Sequence, residues 1–163
     1  MKTLLALILL STSSAFAHIS ITPKIGIVDT SEFISFKVPH GCNGSPTTSI
    51  KITAPIAGLN MKPTVIPHWT ITTVKTATPP ELVKHQSTDG SVATENTQIT
   101  WTGSLEDGFL QPFVIALKLP KTPQILEFEV EQICESGDVI KYTSNPGTDS
   151  KIKYEKVPKL QVK

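Results

Sequence analysis

His18 is the residue best placed to do chemistry in this 163-residue chain, because it follows a secretion-cleavage signal. Residues 1–17 carry one basic residue (Lys2), an apolar run from Leu4 to Leu10 and the small-residue ending Ala15-Phe16-Ala17. That layout predicts a removable signal peptide cut before His18. A chain starting with histidine has a free α-amine and a ring Nδ1 that can close on one metal ion as a compact chelate. Two nitrogens in a plane suit Cu(II), which also heads the divalent affinity series. The amine must shed a proton to bind, and its ordinary pKa is ~8, so binding should weaken as the medium turns acidic. The plain alternative is that signal peptidase leaves an ordinary residue at the start of a strand.

The other candidate residues are weaker. His40-Gly41-Cys42 could present a thiolate–imidazole pair to a metal. With Cys134 as the only other cysteine and an exported setting, a Cys42–Cys134 disulfide is the preferred reading. His40 then either caps that bridge or swings toward the N-terminal strand as an extra ligand. His68 precedes Trp69 at a strand entrance, and His85 lies in a polar stretch. There is no G-x-S-x-G elbow, no Gly-rich loop opening a helix, no H-E-x-x-H and no pair of C-x-x-C motifs. Glu127, Glu129 and Glu131 read as the solvated face of a strand, and Asn43-Gly44-Ser45 as a short sequon without weight.

Several short β runs must position these groups. They are predicted at 18–22, 32–38, 48–54, 69–75, 97–102, 112–119, 126–133, 138–143 and 151–155, with Pro, Gly, Asn and Asp between them. His18-Ile19-Ser20-Ile21-Thr22 alternates polar and apolar, which ties His18 to a sheet. Leu126 to Glu131 alternates apolar with acidic residues, and Ile34, Phe36 and Val38 form one face of their run. Most of the thirteen prolines stand at run ends. Segment 77–96 reads as a long surface loop with a turn near Pro79 to Lys84, and 157–163 as a flexible tail. The predicted fold is all-β, an antiparallel β-sandwich of the immunoglobulin or cupredoxin-like kind spanning 18–156.

Composition narrows the partners. All fifteen basic residues are lysine and the formal net charge is +1, so the side chain best suited to bidentate base or phosphate recognition is missing. Nucleic acid is set aside. The run from Leu4 to Leu10 is far short of the ~20 residues that span a bilayer. The mature chain is expected without a stable membrane span, in the periplasm or outside the cell.

Six stretches together carry a family resemblance: His18-Ile19-Ser20-Ile21-Thr22-Pro23, Phe36 to Cys42 with Ser45-Pro46-Thr47-Thr48, Pro67-His68-Trp69-Thr70-Ile71, Ile99 to Gly103, Phe113 to Pro120, and Glu131 to Gly137. Their order and spacing resemble the YcnI-like copper-binding domain of exported bacterial proteins. The resemblance implies a β-sandwich that holds copper (Cu2+) through the amine and ring of its N-terminal histidine, a single-histidine brace, here His18. The family's tryptophan near copper, a few residues after the glycine matched by Gly137, corresponds to Tyr142 in this chain. No carboxylate stands in the His40-Gly41-Cys42 turn, where some relatives have glutamate. His18 is thus the expected ligand, with His40 and Tyr142 as further near-site candidates.

The expectation is a non-enzymatic, exported copper-binding protein of copper trafficking, exchanging the ion with another copper-handling exported protein. Trp69 and Trp101 are expected in its core. Two rivals stand beside it. A polysaccharide-acting copper oxygenase also begins with histidine but needs a second one, here His40, His68 or His85. A metal-free adhesion or scaffold sandwich needs none.

Overall fold

Alternation of buried Ile34, Phe36 and Val38 with outward Ser35 and Lys37 makes residues 31–38 a strand that can only pay out one face to a core. The computed structural model describes residues 18–83 and 91–163. Residues 1–17, expected to be a signal peptide, and His85 lie outside the described residues. In chain order the strands are β1 (Ser20–Thr22), β2 (Ile25–Gly26), β3 (Ser31–Val38), β4 (Thr47–Thr53), β5 (Lys62–Pro63), β6 (Thr70–Ala77) and β7 (Thr94–Leu105). They continue as β8 (Gln111–Lys118), β9 (Gln124–Glu127), β10 (Glu129–Cys134), β11 (Val139–Tyr142), β12 (Ile152–Glu155) and β13 (Lys159–Val162). A 3-10 turn at Pro80–Leu82 fulfils the expectation of a turn near Pro79.

One four-stranded sheet runs β1-β3-β8-β5, one six-stranded sheet β12-β11-β10-β4-β7-β6, and a small third sheet β2-β13-β9. The all-β sandwich expected from the sequence is therefore present. Its core joins the two large sheets through aromatic edges. Phe113 of β8 meets Trp101 of β7 at 5.5 Å and Trp69 at 5.0 Å, and Phe36 of β3 meets Phe128 at 5.4 Å. Edge-to-face pairs of this kind add ~0.5–1.5 kcal/mol each beyond the area they bury. The Trp101 indole is fully buried and its N–H donates to the Thr64 carbonyl at 3.2 Å.

Trp69 is only half-buried and packs over Gly103. A Cβ at residue 103 would lie 2.4–2.8 Å from three Trp69 ring carbons. Gly103→Ala should therefore push Trp69 off Phe113 and cost roughly 1–3 kcal/mol, the usual penalty of overpacking. Thermal unfolding monitored by tryptophan fluorescence measures it, and an unchanged midpoint would refute this packing.

Three sequence expectations need correction. The tail 157–163 is not flexible: Lys159–Val162 is a strand, parallel to β2 and antiparallel to β9, with Leu160 and Val162 buried. Two apolar residues in alternation suffice because both neighbours come from distant parts of the chain. The run 126–133 is two strands. At buried Phe128, whose N–H donates to the Pro158 carbonyl at 3.1 Å, the chain leaves the small sheet for the large one. The loop predicted over 77–96 is shorter at its end, since β7 begins at Thr94 and buries Glu95, whose carboxylate accepts from the Gly58 N–H.

Candidate metal site

β1 carries His18 to one end of the sandwich. Ile19 and Ile21 are buried, and Ser20 to Thr22 pair with Lys37 to Ser35 of β3. The segment that follows His18 is thereby held by packing and by a ladder, so His18 projects from a fixed base. Its side chain is half exposed.

The turn after β3 forms the facing wall. Cys42 and Ser45 exchange two backbone hydrogen bonds of 2.9 Å, with Asn43 and Gly44 at positive φ between them. Cys42 is bonded to Cys134 at the end of β10, so the expected disulfide is present and staples this turn to the six-stranded sheet. Gly41 is required here: a Cβ on it would lie 1.9 Å from the Ser45 carbonyl oxygen.

Between these walls lies an open cleft of about 470 Å³. His18, His40 and Tyr142, far apart in sequence, all line it, together with Cys42, Asp107, Asp138, Lys151, Lys153 and Glu155. His68 is exposed in a turn before β6, with φ 64°, and is not among the lining residues.

The closest charged contact to His18 comes from β12. Its Nδ1, the ring nitrogen a brace would use, is 3.0 Å from Glu155 Oε2. The other Glu155 oxygen is held by Lys153 Nζ at 2.8 Å, which fixes the carboxylate's orientation. His40 is engaged differently: its Nδ1 meets the Gly41 carbonyl and lies 3.9 Å from Asp107 Oδ1.

Tyr142 is buried behind the cleft. Burial pushes its phenol up to about 12, the Glu155 carboxylate adds to the push, and a hydrogen bond from the Ile19 backbone opposes it. The phenol stays protonated at ordinary pH and donates to Gln132 Oε1 at 3.4 Å. Gln132 is itself buried, and its amide donates to the His40 carbonyl at 3.0 Å and to Thr47 Oγ1 at 2.7 Å. A buried chain Ile19–Tyr142–Gln132–His40 thus ties both histidine-bearing segments to one sheet, and a satisfied network of this kind rigidifies what it connects.

The sequence reading names neither Glu155 nor Gln132 as a site residue. Glu155 sits among lysines in Lys153-Tyr154-Glu155-Lys156, which looks like a solvated strand. Only the parallel pairing of β12 with β11 brings it to the chain start. Gln132 carries a weak signal, as the one uncharged polar residue in the alternation Glu129-Val130-Glu131-Gln132-Ile133. The acids of that strand answer to local partners: Glu131 to Lys51 and Lys141, Glu127 to Lys159, and Glu129 to Thr143.

Among the described residues, no three His, Cys, Asp or Glu side chains are grouped so as to hold a metal ion. His18 and Glu155 supply two donors. Any metal here would need a third from elsewhere, and in a chain cut before His18 the α-amine would be adjacent by covalent geometry. Also among the described residues, no helix is long and apolar enough to cross a membrane.

Residues 18–162 match the model of a domain of unknown function, DUF1775. No curated protein matches the chain. Among solved structures, the chain is similar to an uncharacterized protein from Nocardia farcinica with an immunoglobulin-like fold. The two share 18% identity with a TM-score of 0.61, over 88% of this chain and 97% of that one. A DUF4466 family protein from Parabacteroides merdae aligns at 11% identity and a TM-score of 0.39, over 80% of this chain and 42% of that one. The Nocardia structure supports the fold, and the second similarity is too slight to carry an argument.

Proposed function

The chain belongs to the DUF1775 family, and from that premise we propose that it is an exported copper carrier that binds Cu(II) at the open cleft headed by His18. The ion is cargo. Its donors are the His18 α-amine and Nδ1, as the YcnI-like resemblance implies, and the Glu155 carboxylate beside them. The observation that carries this reading is the 3.0 Å approach of His18 Nδ1 to Glu155 Oε2 in a cleft open to solvent. Two donors each ~2.0–2.1 Å from one ion and at right angles to it lie ~2.9 Å apart, so the pair is already spaced as neighbouring ligands. Nitrogen and carboxylate oxygen in a planar arrangement suit Cu(II).

Lys153 orients the carboxylate, Tyr142 and Gln132 hold the surrounding segments, and His40 borders the cleft without a place in this donor set. Three protein donors leave positions for water or for a partner's ligand, as transfer to another exported copper-handling protein requires. The reading is of a carrier and not an enzyme. The disulfide and the absence of an apolar span among the described residues are compatible with export.

Glu155→Gln keeps the side-chain shape and removes the charge. In protein beginning at His18 it should weaken Cu(II) binding at least about ten- to a hundred-fold, since changes even behind a metal ligand cost that much. Glu32→Gln, on β3 away from the cleft, should leave binding unchanged. Competition titration with a copper chelator measures both. Equal affinity of Glu155→Gln and the parent would remove Glu155 from the donor set.

A further inference from the structure

We propose that the cleft holds its copper together with a small dicarboxylate, which coordinates the ion through one carboxylate and pairs with Lys151 through the other. This rests on the copper reading above and names the form in which the cargo is held.

The cleft is too large for an ion alone. Its volume of about 470 Å³ falls within the ~300–1,000 Å³ of sites for small organic molecules. A water takes ~30 Å³ in the liquid, so an ion with two or three waters leaves most of the space unused. The three protein donors also leave positions on the ion itself.

Lys151, just ahead of β12, and Lys153 and Glu155 within it are alternate residues, and all three line the cleft. β11 runs parallel beside them, with Ile140 paired to Lys153 and Tyr142 to Glu155. Lys153 is engaged by Glu155 at 2.8 Å. Lys151 is exposed, and about 13 Å of extended chain separates its Cα from that of Glu155. A single carboxylate beside Glu155 serves the ion alone. A ligand anchored at the ion and at Lys151 needs two carboxylates joined by a short carbon chain. Cys42, Val139 and Ile140, which line the same cleft, give that chain an apolar surface.

Charge sets the order of binding. Asp107, Asp138 and Glu155 line the cleft against Lys151 and Lys153. With both histidines neutral, the lining carries one net negative charge, or none where the His18 amine is protonated, and offers an anion no net attraction. Cu(II) displaces the amine proton, brings two positive charges and makes the loaded cleft net positive. The anion is thereby admitted with the metal and refused without it. By linkage, the factor by which copper tightens its binding is the factor by which it tightens copper binding.

Protein 18–163 is titrated with Cu(II) against a chelator at about 0.1 M ionic strength, which screens exposed charges beyond ~10 Å, with and without about 10 mM succinate. With succinate's own copper binding subtracted, copper affinity should rise about five-fold or more, the lower end of ordinary coupling between sites. Acetate, with one carboxylate, should have a smaller effect. Lys151→Gln should leave copper affinity without succinate nearly unchanged and weaken succinate binding to the loaded protein about two- to five-fold, the range of one exposed ion pair. Residue 151 is exposed, so the variant keeps the fold. Lys75→Gln, on β6 and outside the cleft, should behave as the parent. Copper binding that succinate leaves unchanged, or that acetate or inorganic phosphate strengthens as much, overturns the dicarboxylate and leaves the carrier reading standing. So does a succinate effect that survives Lys151→Gln in full. Protein that binds no copper under any of these conditions overturns the carrier reading and the dicarboxylate with it.

Discussion

Protein beginning at His18 is expected to bind Cu(II) about a hundred-fold or more tightly than the same protein with a single alanine ahead of it. The addition turns the α-amine into an amide nitrogen and moves a new amine one residue away, outside the chelate. Nothing else changes, because β1 is held from Ile19 onward by burial and by its ladder with β3. Circular dichroism and the unfolding midpoint should coincide for the two proteins, while a chelator competition separates them. A factor of one hundred corresponds to about 2.7 kcal/mol, in keeping with losing a ligand outright when disturbing a group behind one costs about 10- to 100-fold. Binding by the processed protein should also fall as the medium is acidified below the amine's ordinary pKa of ~8, through proton competition. Equal affinity in the two proteins would eliminate the brace, leaving the sandwich and its disulfide in place.

Replacing both Cys42 and Cys134 by serine is expected to produce the largest stability loss of any surface-sparing change. The bridge spans 92 residues of sequence, and on the chain-entropy model closing a loop of that length stabilises by about 4–5 kcal/mol. At about 2–4 °C per kcal/mol for a domain of this size, the unfolding midpoint should drop by about 8–20 °C. Both sulfurs are buried, so two hydroxyls would also enter an apolar environment. The consequence for copper should be much smaller. Cys42 lines the cleft, but His18 precedes β1 and Glu155 ends β12, and the bridge joins neither strand. At a temperature where the variant is folded, Cu(II) affinity should change only a few-fold. A midpoint shift under about 3 °C would show that the unfolded chain is already constrained elsewhere.

The two substitution sets also separate the functions of the cleft's walls. The disulfide wall, with Gly41 and His40, gives shape; the wall of His18 and β12 carries the proposed donors. Gln132 links them, since its amide holds the His40 carbonyl while its oxygen takes the Tyr142 hydroxyl. The neutral Tyr142 phenol serves that link as a donor of a hydrogen bond.

Much of this was legible along the chain, and the reason is that the informative interactions are local or nearly so. Period-two alternation in Ile34, Phe36 and Val38 reports a half-buried strand without knowledge of its partner. Two cysteines admit one pairing. The small-residue ending before His18 predicts a cleavage position from adjacent residues alone, and with it an expected amine, a reading the fold leaves untouched. Where several residues of one type compete, the chain is less informative: His18 and His40 meet in one cleft, His68 does not line it, and all three look alike in sequence.

What tertiary structure alone decided are the pairings of distant segments. Glu155 becomes His18's neighbour through the parallel pairing of β12 with β11, and nothing in a lysine-flanked tetrapeptide signals which way its one carboxylate will face. The segment 157–163 turns from an apparent tail into β13 because β2 and β9 offer it two edges, a stabilisation that no local propensity encodes. The change of sheet at Phe128 interrupts an unbroken alternation, since alternation reports burial of a face and not which sheet the face belongs to. Residue type and spacing thus determined the elements and the leading candidate donor. The neighbours that His18 meets depend on long-range packing that exists only once the sheets have closed.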